Sequence, residues 1–359
     1  MVEAAGTVPL MVSAAGDTHI GGREHNEDAI LVRPDLDLYL VADGAGGHNA
    51  GHIASAIAAT TAAHYFESTQ SQAAEAPTFD EMGLTWSARR LASAFQRANR
   101  EVREISELSE RCEGMGTTLV ASHFDLVNAT LVLGHVGDSR CYRLRDGHLE
   151  RLTQDHSLIN DVLEIDPEID SERARALPRN VITNALGMED RVRVSVRTHE
   201  LVPGDRYLLC SDGLTDEVDD GQIQQAIALG STPAESARLL IDLALDDRPR
   251  DNIAVVVLEC RVAPGVGRLP TKPVPPTRHH ARATPEATSA NEEDLPSDEV
   301  EILEMDDLDD NLDERVDDPV DEEPVDDDEP LLEITMTERG AEQTRKRRDD
   351  DTIITSGEN

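Results

Sequence analysis

The stretch TTLVASHFDLVNATLVLGHVGDSRCYRL, residues 117–144, decides the fold class. It holds three apolar runs, 117–124, 129–136 and 140–144, rich in Val and Leu and separated only by short polar breaks. Such runs read as strands. Strands that follow one another without a helix between them point to antiparallel pairing, because parallel neighbours need a long crossover. Working outward, further strand-like runs lie at 29–32, 38–42, 192–196, 206–210 and 253–259. Helix-period stretches fall between the groups, at 51–66, 84–108 and 233–246. In 84–108 the residues Leu84, Leu91, Phe95, Ala98, Val102 and Ile105 repeat at helical spacings. The third stretch opens with Pro233 and Glu235, a helix-start signature. Grouped strands without strict β-α alternation predict an α+β fold of antiparallel sheets covered by helices.

The apolar residues, 38% of the chain, are concentrated before residue 261. Beyond it the texture changes to a Pro-, Ala- and Thr-rich segment and then to a run dominated by Asp and Glu. The expected organisation is a lead-in at 1–10, one folded domain at 11–262 and a disordered Pro-rich, then acidic, tail at 263–359. Near the end, the basic knot Arg345-Lys346-Arg347-Arg348 precedes Thr352 and Thr355, and LLEITMTE at 331–338 offers apolar residues to a partner.

The net charge is −40, and residues 261–359 alone carry 30 acidic against 11 basic side chains. That balance disfavours direct binding to nucleic acid or an anionic membrane, since phosphate contacts need clustered Lys and Arg. No run of 18 apolar residues is present and the first residues lack a basic signal region, so no membrane span or secretion is expected. The four cysteines, at 112, 141, 210 and 260, form no CxxC pair, and three lie in or beside apolar runs. Buried reduced thiols and a cytoplasmic location are the expectation.

The chemistry sits where the aspartates fall. Asp43 follows LYLVA, Asp138 follows TLVLGHVG, Asp212 follows YLLCS, and Asp251 directly precedes NIAVVVLE. Any one Asp-Gly at a strand end reads as a turn. Four such ends on one rim would crowd carboxylates into a small volume, where they repel unless a divalent cation screens them. An all-oxygen set suits Mg²⁺ or Mn²⁺ better than Zn²⁺. Small residues after Asp43 allow close backbone approach, so the Gly44 carbonyl is a further candidate ligand. In GREHNED, Arg23 precedes Glu27 and Asp28. Two readings of Arg23 are open: a phosphate clamp facing the acids, or an ion pair within a charged loop.

Eight blocks in order then carry a resemblance: RxxNEDA at 23–29, VADGAGGH at 41–48, GMGTTL at 114–119, GDSR at 137–140, LTQDHS at 152–157, NVITNALG at 180–187, LLCSDGL at 208–214 and DNIAVVV at 251–257. The chain resembles the protein phosphatase 2C family of metal-dependent phosphatases, in particular its bacterial branch. The resemblance implies a four-layer α-β-β-α sandwich of two antiparallel sheets with a metal centre of two or three Mn²⁺ or Mg²⁺ at one edge. Carried over by motif, Asp43 bridges two metals, the Gly44 carbonyl binds one, and Asp212 and Asp251 complete the other. Glu27 and Asp28 act through water. Asp138 with Asp212 matches the pair that holds a third metal, and Arg23 matches the phosphate-gripping arginine. The implied reaction is hydrolysis of phosphoserine and phosphothreonine, with a metal-bridging hydroxide attacking phosphorus in line.

Two departures stand out. Animal members carry a His after the Asp-Gly where this chain has Ala45, leaving the proton donor to the leaving group unassigned, and His48 reads as structural. The segment 158–179 matches the bacterial flap loosely and is unusually acidic. The expected partners are phosphorylated proteins, including a serine/threonine kinase, with the protein acting as a monomer. The competing readings are a catalytically inactive scaffold on the same fold and a hydrolase of small phosphoesters.

Overall fold

The computed structural model describes residues 9–46, 50–74, 83–167, 169–170, 173, 177–178, 181–246 and 248–264. The proposed tail from residue 265 onward, the basic knot and His48 all lie outside these residues. In chain order the strands are β1 (Leu10–His19), β2 (Asp28–Arg33), β3 (Leu38–Ala45), β4 (Gly116–Thr117), β5 (Leu119–Asp125), β6 (Thr130–Val136), β7 (Arg140–Arg145), β8 (His148–Arg151), β9 (Ser195–Glu200), β10 (Arg206–Cys210) and β11 (Ile253–Val262). The helices are α1 (Gly51–Ser68), α2 (Trp86–Leu108), α3 (Leu158–Ile165), α4 (Asp212–Thr215), α5 (Asp220–Leu229) and α6 (Pro233–Asp246).

Two antiparallel sheets result. One has the order β1-β11-β10-β7-β8; the other runs β2-β3-β5-β6-β9, with β4 paired to β3. The expected α+β sandwich is therefore the observed one, and its layering follows from side-chain alternation along the apolar runs. In β11, Ile253, Val255 and Val257 face α5 and α6, while Ala254, Val256, Leu258 and Cys260 face the other sheet. In β3, Leu38, Leu40 and Ala42 pack under α1 and α2, while Tyr39 and Val41 point between the sheets. A strand buried on both faces reads as a continuous apolar run, which is why these strands are visible in the sequence.

The structure departs from expectation where propensity is weak. β1, LMVSAAGDTH, is rich in Ala, Gly and Ser, yet it pairs residue for residue with β11 from Leu10↔Val262 to His19↔Ile253. Its strand state is imposed by a partner rather than by its own side chains, and Leu10 belongs to the sheet rather than to a lead-in. A Cβ at Gly16 would meet the Cδ1 tip of Ile30 at 2.8 Å and the Val255 carbonyl oxygen at 3.2 Å, so a larger residue here would require its neighbours to give way. The run expected at 192–196 forms its strand a few residues later, as β9. The short α5 is set by its capping box, in which the Asp219 carboxylate accepts from Gln222 N at 2.9 Å and the Gln222 side chain accepts from Asp219 N at 3.0 Å. All four cysteines are buried and free, as expected. No helix among the described residues is long and apolar enough to cross a membrane.

One buried histidine gives the fold a measurable acid limb. His123 on β5 is 8% exposed, sits edge-on to Phe66 and donates from Nδ1 to the Asp37 carbonyl at 3.3 Å. Burial, with the Arg90 guanidinium beside it, pushes its pKa down to about 4. As pH falls through 6.5 the unfolded chain takes up a proton that the folded chain refuses until about pH 4. The stabilisation is thus complete above that upper value and is lost as pH falls. We predict that His123→Gln flattens the loss of unfolding free energy between pH 6.5 and 5 by about 2 kcal/mol, measured by urea unfolding. Parallel curves for variant and wild type would exclude the neutral buried imidazole.

Candidate active site

The ends of β3, β10 and β11, together with the loop before β2, meet at one edge of the sandwich around an open cleft of about 370 Å³. Arg23, Glu27, Asp43, Gly44, Asp212 and Asp251 are among the residues that line it. Asp28 and Asp138 are set back from the cleft, close enough to its acids to act on them through charge. Residues more than 200 positions apart in sequence thus converge, as the spacing of acids at strand ends suggested.

Close backbone packing builds this edge. A Cβ on Gly44 would meet the Gly51 carbonyl oxygen at 2.1 Å and the Glu27 carbonyl oxygen at 2.7 Å, so β3, the β2 approach and the start of α1 touch at bare backbone. Gly213 is equally confined, with the Asn252 carbonyl oxygen 1.9 Å from where its Cβ would lie. α1 has no capping side chain of its own, and Glu27 Oε1 accepts from Gly51 N at 3.1 Å instead. That tertiary cap places a carboxylate at the positive end of the helix. Asp43 is held through its backbone: its N–H donates to Thr118 Oγ1 at 3.2 Å, and its carbonyl accepts from Thr118 N and Thr117 Oγ1, both at 2.9 Å.

Two residues without an assigned role prove central. Asn252 is buried, accepts from Glu27 N at 2.9 Å and donates to the carbonyls of Ile20 and His25 at 2.8 and 2.9 Å. It ties the Arg23–Glu27 loop to the start of β11. Ser211 accepts from Ala254 N at 2.9 Å and donates to Asp28 Oδ2 at 2.8 Å. Their only trace in the sequence is a polar residue beside an acid at the end of an apolar run. His156 plays a similar part behind Asp138. Its Nδ1 accepts from Gly137 N at 3.2 Å and Asn184 Nδ2 at 2.8 Å, which leaves Nε2–H to donate to Ser195 Oγ at 2.9 Å.

The electrostatics are those of crowded acids. Burial pushes Asp43 well above the usual carboxylate range, and the charges of Asp28, Asp212, Asp251 and Asp138 push further the same way. Asp28 rises to about 7, first through burial and against the pull of the Ser211 hydrogen bond. Asp138 rises to about 7 and Asp212 to about 6, each mainly through burial and then through neighbouring acids. The oxygens Asp28 Oδ1, Asp138 Oδ1 and Asp212 Oδ1 are buried with no hydrogen-bond partner. Arg23 does not pair with the acids of its own loop. Its Nη2 donates to Asp251 Oδ2 at 2.5 Å, across 228 positions of chain. Among the described residues no three His, Cys, Asp or Glu side chains stand as a ready metal cage, since Asp251 turns to Arg23 and Glu27 to α1. What the edge offers is a set of underscreened oxygens with a high demand for positive charge.

Comparison with known proteins places this geometry. The model of the protein phosphatase 2C family matches residues 15–238. The serine/threonine phosphatase stp of Listeria monocytogenes is 36% identical over 241 residues, which cover 66% of this chain and 91% of that one. The serine/threonine protein phosphatase PstP of Mycobacterium tuberculosis is 37% identical over 254 residues, 70% of this chain but 45% of PstP. Among solved structures, M. tuberculosis PstP/Ppp superposes with a TM-score of 0.58 at 35% identity, covering 69% of this chain and 98% of that one. The catalytic domain of PstP in complex with two manganese ions gives a TM-score of 0.58 at 35% identity, covering 70% and 99%.

Proposed function

This chain belongs to the protein phosphatase 2C family and is a protein serine/threonine phosphatase, and from that premise we propose how its own residues carry the reaction. The observation that carries the proposal is the convergence of Asp43, Asp138, Asp212 and Asp251 with Arg23 at one edge, with three buried acid oxygens lacking partners.

Such a donor set fits hard divalent cations, Mn²⁺ or Mg²⁺, and excludes the sulfur and imidazole ligands that favour zinc. Asp43, the Gly44 carbonyl, Asp212 and Asp251 would hold two ions, with Glu27 and Asp28 contributing through water and Asp138 with Asp212 providing a weaker third position. When bound, the ions supply an activated water for attack on phosphorus. Asp251, bonded to Arg23 in this structure, would have to release it to serve as a cation ligand, and the guanidinium would then be available to grip the phosphoryl oxygens. Gly44 and Gly213 let the segments of this edge pack backbone against backbone, which supports the presentation of the neighbouring Asp43 and Asp212 to the cleft. The cleft is open, as dephosphorylation of a residue on a protein surface requires. A serine/threonine kinase whose products this enzyme reverses is the natural counterpart.

Turnover of a phosphothreonine peptide by the full chain with Mn²⁺, and its loss in EDTA, tests the reading. Activity that survives EDTA would overturn it.

We further propose that the catalytic unit ends where β11 does. Val262 pairs with Leu10, and Ala263 N donates to the Pro9 carbonyl at 2.8 Å, which closes the sheet. Truncation after residue 264 is expected to leave kcat/KM on a phosphothreonine peptide within about twofold, since surface changes away from packed features cost little. A larger loss would show that the acidic tail belongs to the active unit.

A further inference from the structure

Part of the cleft lining has a different character from the acids. Ile182, Ala185 and Met188 belong to it, together with Gly114 and Gly116. Met188 is 66% exposed, and it lines the same cleft as the acids. It does not lie on a loose loop. Thr117 and Leu186 exchange backbone hydrogen bonds at 3.1 and 2.9 Å just before it. On α2, Asn99 is 0% exposed, and it spends its side chain on this turn alone. Its Oδ1 accepts from Gly187 N at 2.8 Å, and its Nδ2 donates to the carbonyls of Glu189 and Asp190 at 3.0 and 3.2 Å. Gly187 takes φ +89°, and a Cβ there would meet Val102 at 2.6 Å, so the turn admits little movement.

The Met188 stem lies 3.5 Å from where a Cβ on Gly116 would project. Gly116 pairs with Ala45, and Thr117 with Gly44, the residue after Asp43. An apolar side chain is thus clamped open within one residue pair of the acid centre. A buried asparagine making three hydrogen bonds around an exposed methionine shapes a surface rather than a core.

We propose that Met188, backed by Ile182 and Ala185, forms a shelf that receives an apolar side chain adjacent in sequence to the phosphorylated residue of the substrate. The shelf rests on the phosphatase reading and adds a sequence preference to it. It favours an aliphatic neighbour and disfavours an acidic one, since the exposed Glu189 directly follows Met188, while Asp190 is paired with Arg103. Asn99 acts as a positioning residue that fixes the shelf against α2.

The test uses the full chain with Mn²⁺ and two phosphothreonine peptides that differ only in the residues on either side of the phosphothreonine, leucine in one and glutamine in the other. kcat/KM is expected to be about tenfold higher for the leucine peptide, the scale of an added apolar contact, with the difference in KM rather than kcat. In Met188→Gln the ratio between the peptides should fall to about one, and in Met188→Leu it should be retained. The readout is the ratio, so a general loss of rate does not mimic it. Equal treatment of the two peptides by wild type, or an unchanged ratio in Met188→Gln, overturns the shelf. Free phosphothreonine, which has no neighbours, reports separately: if wild type with Mn²⁺ leaves it and both peptides intact, the phosphatase reading itself fails.

Discussion

Alanine in place of Asp43 or Asp212 should lower phosphothreonine-peptide turnover at saturating Mn²⁺ by about 10³-fold or more, beyond the roughly 10–100-fold cost of residues that only orient a ligand. Both side chains line the cleft, and each lies among acids that raise its pKa. Stability should move in the opposite sense from activity. The folded pKa of Asp43 stands well above its ordinary value, through burial first and then Asp28 and Asp212. Between the ordinary value and the folded one the native state holds a proton that the unfolded chain releases. The carboxyl therefore costs stability increasingly as pH rises through that window. At pH 8 in EDTA, Asp43→Ala is expected to melt no lower than wild type. With Mn²⁺ at about a hundred times its dissociation constant, wild type should gain roughly 5–10 °C in Tm, and the variant little. Differential scanning fluorimetry with and without Mn²⁺ measures both limbs. Turnover like that of wild type, or an equal Mn²⁺ shift in both proteins, would remove Asp43 from the metal centre.

The second large effect concerns Arg23. Its guanidinium is half exposed and bonded to Asp251, and charge from Asp251, Glu27 and Asp43 surrounds it. A charge-assisted hydrogen bond to a phosphoryl group is worth about 1.5–3 kcal/mol, so Arg23→Ala should lower kcat/KM by roughly 10–100-fold. Lysine in its place should recover only part of that, because it lacks the planar fork. Removing Arg23 also releases Asp251, so the Mn²⁺ concentration for half-maximal activity should hold steady or fall. A rise in that concentration would mean that Arg23 serves to orient Asp251 and not to bind phosphate. Unchanged kinetics would reduce it to an ion pair.

Much of this protein is legible in its sequence, for a physical reason. Strands buried on both faces, such as β3, β10 and β11, must be apolar throughout, so their positions are written in composition alone. The acids at their ends are conspicuous because nothing beside most of them neutralises the charge. The amphipathic period likewise marks α2, and the Thr85 side chain caps it by accepting from Ala88 N at 3.1 Å.

Only the tertiary structure decided the rest. β1 is a strand because β11 offers it ten residues of open edge, a property of the partner and not of LMVSAAGDTH. Arg23 chose Asp251 over the acids of its own loop, and neither charge nor spacing along the chain distinguishes those partners. Asn252, Ser211 and Asn99 matter because each is buried with its hydrogen-bonding capacity turned on a distant segment. A polar side chain looks alike in sequence whether it faces water or holds two loops together. Burial makes the difference, and burial is settled only when the two sheets and their helices have closed around it.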